Sequence, residues 1–227
     1  MSGRKAIRRQ PVKNTNTGDK KKRIDGPRKR IHEAAVRLFA RYGYEGVGMQ
    51  RIANEVGLHK SSLFHHYRGK LELAAEVFNG AVQPVVEIMR PLADNDPPTI
   101  DGFLAVVDDL VEHFSDNTDA ARLIISVMSA PKESDLRMPN PDGEQVFVEF
   151  YTIVWMWLER AKKAGAIRPV NIRQTIMNMI GVVLFYPAVA PEEDGITGPD
   201  PFSASARKHR RTELHYLFRG ALEPRPE

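Results

Sequence analysis

Residues 30–70 read RIHEAAVRLFARYGYEGVGMQRIANEVGLHKSSLFHHYRGK, and their spacing decides the fold. Ile31, Ala34, Ala35, Leu38, Phe39 and Tyr42 recur at intervals of three and four, which places them on one face of a helix. Asp25 can cap its start, Pro27 suits the first turn because its missing N–H is not needed there, and Gly43 can end it. Met49, Ile52, Ala53 and Val56 form the inner face of a second, short helix stopped by Gly57. Lys60 to Tyr67 form a third, with Leu63 and Phe64 at its centre. A helix of about eight residues is unstable alone, so each must rest on its neighbours. Two such helices joined by a short turn containing glycine make a helix-turn-helix, here over about residues 48–67. In that arrangement the second helix enters the major groove of duplex DNA.

The charge distribution points the same way. Residues 1–70 hold 18 Lys and Arg against five Asp and Glu, whereas the remainder holds 15 against 24, so a basic front precedes an acidic body. Such asymmetry favours an anionic partner for the front, nucleic acid above all. Residues 1–24 mix cations with Gly, Pro, Asn and Thr and show no apolar periodicity, which reads as a disordered basic arm containing Lys20, Lys21, Lys22 and Arg23.

Beyond residue 70 the pattern stays helical. A longer helix begins at Lys70 and meets Pro84, which should kink or interrupt it. Further helices are expected at about 99–115, 118–129, 143–164, 171–187 and 203–220, with Thr99, Asn171 and Ser203 as caps and loops near 131–142 and 188–202. The expected architecture is all-α with about nine helices: an arm (1–24), a three-helix DNA-binding domain (25–85) and a larger helical bundle (86–227). With no cysteine, thiolate catalysis and cysteine-ligated zinc are excluded. No stretch approaches the roughly 18–20 uninterrupted apolar residues of a membrane helix, and the usual hydrolase and nucleotide-binding motifs are absent. His59, His65 and His66 have only Glu55 as a nearby acid and lie among cations, so no metal site, cofactor or catalytic residue is expected. His32 and His113 read as solvated or satisfied helix residues.

The run Arg30-Ile31-x-x-Ala34-Ala35-x-x-Leu38-Phe39-Ala40-x-x-Gly43-Tyr44-x-Gly46-Val47-x-Met49-x-x-Ile52-Ala53-x-x-Val56-Gly57-Leu58-x-Lys60-Ser61-Ser62-Leu63-Phe64-His65-His66-Tyr67-x-x-Lys70 resembles the N-terminal domain of the TetR family of bacterial regulators. Lys60, Ser61 and His65 are the candidate base readers, since Lys donates to guanine, Ser pairs with any base edge, and His65 follows one turn on. Gln50, Ser62, His66 and Lys70 are the candidate phosphate contacts, the last three on positions that the family uses mainly for phosphate. Two departures stand out: Phe64 replaces the family's usual Tyr and cannot donate, and Gly48 and Met49 occupy positions where Ser or Thr is favoured. The basic arm is a candidate to offset these losses.

The resemblance also implies an effector cavity and a dimer. Phe147, Phe150, Tyr151, Trp155, Met156 and Trp157 crowd one long helix, with Met128, Met177 and Met179 elsewhere. Core burial is the commoner fate of such residues; Met128, Phe147, Tyr151 and Trp155 are the candidate pocket lining. In the family the last two helices, here about 171–187 and 203–220, pair with their copies as a four-helix bundle. Their apolar sets are Ile176, Met179, Ile180, Val183 and Leu184, and Leu214, Leu217, Phe218 and Ala221. The expectation is a cytoplasmic, homodimeric repressor that binds a palindromic double-stranded operator and is released by a small, mostly apolar ligand. The competing reading is an architectural or nucleoid-associated DNA-binding protein of the same fold without an effector.

Overall fold

The computed structural model describes residues 26–130, 141–190 and 200–224. Among them the chain is all helical: α1 (Pro27–Tyr42), α2 (Met49–Glu55), α3 (Lys60–Phe64), α4 (Lys70–Met89), α5 (Pro91–Asp94), α6 (Ile100–Asp116), α7 (Thr118–Met128), α8 (Pro141–Lys163), α9 (Ile172–Val189) and α10 (Ala204–Leu222). The basic arm, the expected cap Asp25 and most of the two expected loops lie outside the described residues. Gly26, at φ 67°, takes the cap position that sequence spacing assigns to Asp25, a conformation open to glycine because it has no Cβ. Thr99, Asn171 and Ser203 cap α6, α9 and α10 by accepting a hydrogen bond from the third residue on.

The first three helices and the first half of α4 share one apolar core. Ile31, Ala35, Leu38 and Phe39 of α1 meet Ile52 and Ala53 of α2, Leu63 of α3 and Leu73, Ala74 and Phe78 of α4, all buried. Phe39 stacks on Phe78 at 6.4 Å between ring centroids and packs against Tyr44 at 5.8 Å. Of the two outcomes expected at Pro84, a kink or an interruption, the interruption does not occur: α4 runs through it. The buried Ala81, Val85, Val86 and Met89 flank it, and tertiary packing carries the helix across the lost hydrogen bond. The break comes at Pro91, after which a single turn, α5, is pinned by the buried Leu92.

In the body, α6, α7 and α8 pack on α4, α9 lies against those three, and α10 lies along α6. A ladder of four ion pairs and one hydrogen bond sets the antiparallel register of the last two: Asp101 pairs with Arg219, Glu112 with Arg211 and with Arg207 (3.0 Å), and Asp116 with Arg207 (2.6 Å), while Asp108 hydrogen-bonds His215 (2.8 Å). Each exposed pair contributes little alone, but together they exclude a shifted register.

By length and composition alone α9 could cross a membrane, with mean hydropathy 1.3 over 18 residues, which the sequence expectation overlooked. It packs instead on α6, α7 and α8. Pro187 lies inside α9 and has no N–H to give the carbonyl of Val183 four residues back. Arg210 of α10 supplies the donor: its Nη2 lies 3.0 Å from that oxygen, and its guanidinium sits 4.1 Å from the Tyr186 ring centroid. Burial lowers the Arg210 pKa to about 10, so it remains charged at neutral pH.

Candidate nucleic-acid interface

The turn between α2 and α3 runs from Val56 to His59, and Gly57 bends it at φ 67°. Leu63 and Tyr67 point into the core and fix the roll of α3. The opposite side is therefore presented to solvent: Lys60, Ser61, Phe64 and His65 are exposed, and Ser62, His66 and Lys70 are half-buried beside them. Lys60 and Phe64, and Ser61 and His65, form two pairs one turn apart, so all four share the leading surface. Gln50 is exposed on α2, where its amide donates to Asn54 at 2.8 Å. Lys70 stands at the start of α4, and its Nζ rests 3.8 Å from the Tyr44 ring centroid. That placement puts an ammonium beside unpaired helix N–H groups, an arrangement that attracts a phosphate oxygen.

A polar hub beneath α3 holds this surface to α1 and α4. Glu76 of α4 accepts from Arg28 Nη2 (2.5 Å) and from the Tyr67 hydroxyl (2.9 Å), while His32 Nδ1 lies 3.6 Å away and Arg28 stacks over the Tyr67 ring. Burial pushes the Glu76 carboxyl up, but the bonds from Arg28 and Tyr67 and the Arg28 charge outweigh it, leaving the group below its ordinary value. Burial, then the bond to Glu76, drives the Tyr67 phenol well above its usual range. Desolvation lowers His32 despite the nearby carboxylate. His32 and His113 thus differ from the sequence expectation: both are half-buried, and His32 Nδ1 and His113 Nε2 make no hydrogen bond, the Glu76 carboxylate standing just beyond bonding distance of His32.

The body holds a narrow apolar cavity of about 60 Å³, and all twenty residues around it are apolar. Met128 and Phe147 stand in its wall, with Phe150 and Val154 on the same stripe of α8. Tyr151 and Trp155 do not, which corrects the sequence expectation. They lie on the flank of that stripe, their rings tilted against each other at 5.9 Å, and Trp155 is 36% exposed. The wall also takes Val82, Val85 and Met89 from α4 and Ile176, Met179, Ile180, Val183 and Leu184 from α9. The α9 set assigned to a dimer contact therefore faces inward. The apolar residues left outside are Met177, Phe185, Tyr186 and Val189 of α9 and Tyr216 and Leu217 of α10.

Residues 31–77 match the family model for bacterial regulatory proteins of the tetR family. Over residues 31–77 the chain belongs to the TetR family. It is 31% identical over 104 residues to the transcriptional regulator LmrA of Bacillus subtilis, a match that covers 45% of this chain and 55% of LmrA. Over 186 residues it is 21% identical to RutR of Escherichia coli K12, covering 80% of this chain and 84% of RutR. Among solved structures, AibR in complex with isovaleryl coenzyme A and operator DNA superposes with a TM-score of 0.65 at 20% identity, covering 83% of this chain and 96% of AibR. The relatives are named as regulators of transcription, and no enzyme family is indicated.

Within this TetR-family head, sequence reasoning missed Arg51 and Arg41. Their guanidiniums approach the exposed Tyr42 ring to 3.7 and 5.5 Å and hold a cationic edge beside α2. Arg41 is next to Tyr42 in sequence and could have been found there, whereas Arg51 reaches the ring only because α2 folds back on α1. Phe64 is another: it was placed at the centre of α3, yet it is 45% exposed while Leu63 takes the core position.

Proposed function

We propose that this TetR-family regulator binds a palindromic operator as a homodimer and releases it when a small, mostly apolar ligand enters the body. One observation carries the reading: α4 belongs to two cores. Leu73, Ala74 and Phe78 pack in the DNA-binding head, and Val82, Val85 and Met89 of the same unbroken helix line the cavity. At about 60 Å³ the cavity is smaller than the ~150 Å³ that accommodates benzene in an engineered protein, so a ligand must push its walls apart. Methionines 89, 128 and 179 give the wall soft, adaptable side chains. Displacing the lower half of α4 tilts the upper half, and with it α3.

A monomer presents one short reading helix; two, about 34 Å apart, reach successive major grooves. The outward Phe185 (62% exposed), Leu217 (49%) and Tyr216 (71%), beside a surface groove of about 750 Å³, supply knob and hole for a two-fold contact between α9 and α10 of two copies. Lys60, Ser61 and His65 read bases; Gln50, Ser62, His66 and Lys70, with Lys20 to Arg23 of the arm, hold phosphates. AibR, crystallised with both an acyl coenzyme A and its operator, lends support as a relative in fold. A ligand that favours the DNA-incompetent arrangement by about 1–3 kcal/mol changes operator affinity roughly 5–150-fold.

Selection of bound DNA from a random pool tests the reading. The expected product is a palindrome with half-sites one helical turn apart. Uniform recovery of all sequences, with a steep salt dependence, would instead identify an architectural protein and overturn the repressor reading.

A further inference from the structure

Two buried donors in the body have no hydrogen-bond partner: Trp157 Nε1 and Arg160 Nε. Trp157 is fully buried. A buried N–H left unpaired costs about 1–3 kcal/mol and is rare in native proteins, so the pair calls for an explanation. They stand three residues apart on α8, which makes them neighbours on one face. The Trp157 ring stacks on Phe103 at 4.9 Å, and Phe103 is a cavity wall. Arg160 Nη2 donates to the carbonyl of Leu92 at 2.6 Å, and Leu92 is a wall too. Each donor residue therefore stands behind a wall residue, Trp157 behind Phe103 and Arg160 behind Leu92. Arg160 makes no ion pair among the described residues, so its permanent charge faces no carboxylate there.

We infer that the effector is an amphiphile with a hydrocarbon tail and a carboxylate head, the tail filling the cavity and the head accepting from Trp157 Nε1 and Arg160 Nε once Phe103 turns aside. The inference rests on the cavity being the effector site. The tail follows from walls with no polar side chain. The head follows from two adjacent donors, one of them cationic, which a carboxylate satisfies with its two oxygens at once. An ammonium head would meet donors and a like charge, and a purely hydrocarbon ligand would leave both N–H groups unpaired.

The test titrates the full chain with octanoate, octanol and octylammonium, three ligands with one tail, by calorimetry. Octanoate is expected to bind about tenfold or more tightly than octanol, the ratio that one charge-assisted hydrogen bond provides, and octylammonium most weakly. Trp157→Phe and Arg160→Met should each weaken octanoate far more than octanol and so shrink the octanoate advantage. In the wild-type chain, the indole N–H resonance of Trp157, assigned with Trp155→Phe, should move downfield with octanoate alone, a readout independent of how the variants fold. Equal binding of octanoate and octanol, or an indole resonance that octanoate leaves in place, overturns the head-group assignment while the cavity stands. If none of the three binds, the cavity reading falls as well.

Discussion

The donor that Arg210 lends to α9 can be isolated by a double-mutant cycle. Arg210→Met removes the Nη2 that lies 3.0 Å from the Val183 carbonyl, and Pro187 has no N–H to replace it. A buried carbonyl that loses its donor costs about 1–3 kcal/mol. The substitution also removes a buried cation and its stacking on Tyr186, effects of opposite sign that blur the single-mutant value. The cycle cancels them. Pro187→Ala restores the helical N–H aimed at Val183, so in that background the carbonyl keeps a partner when Arg210 is lost. The expected coupling is about 1–2 kcal/mol, with Arg210→Met costing less in the Pro187→Ala chain than in the wild type. Thermal unfolding at fixed protein concentration reads it as a difference of roughly 2–8 °C between the two Arg210→Met shifts, at about 2–4 °C per kcal/mol for a chain of this size. Equal shifts in the two backgrounds would refute the claim that Arg210 substitutes for the missing N–H.

Lys60→Ala should relax base preference in a binding selection, whereas Lys70→Ala should weaken all sequences alike; a uniform loss for Lys60→Ala contradicts its assignment to bases. Deleting residues 1–24 should weaken DNA binding and flatten its salt slope, and unchanged affinity at every salt removes the arm from the interface. Leu217→Arg should yield a monomer by light scattering with loss of operator binding, and a dimer that persists places the two-fold contact elsewhere. In the α1–α4 hub, His32 and Glu76 are both held below their ordinary values of 6.5 and 4.5, so the fold favours their unprotonated forms. Their stabilisation is complete above those values and is lost as pH falls through them. Glu76→Gln should cost about 1 kcal/mol at neutral pH, discounted for the partial exposure of the pair, and should lose the part of the acid decline below pH 4.5; an unchanged decline removes Glu76 as its source.

The head was legible because its helices are specified locally. Apolar residues at intervals of three and four, stopped by Gly43 and Gly57, place α1 to α3 without reference to the rest of the chain. What escaped depends on contacts distant in sequence. Pro84 reads as a break, but packing on both sides holds α4 together. The sets on α9 and α10 were recognised as apolar, yet periodicity cannot tell a face buried in its own bundle from one left outside. Most of the named residues line the cavity or core, while Phe185 and Tyr216 remain outside. Trp155 and Tyr151 failed as cavity walls for a similar reason: aromatic identity marks burial in general, whereas the angular position on α8 selects Phe147, Phe150 and Val154.

The domain boundary expected near residue 85 falls within α4, which runs from Lys70 to Met89. For anyone grafting this head onto another regulator's body, no loop offers a seam. A cut above Ala81 strips the cavity of its α4 side, and a cut below Met89 leaves the transplanted head trailing a greasy half-helix with nothing to lie against. Working hybrids will have to splice helix to helix in phase, matching both stripes of side chains across the join.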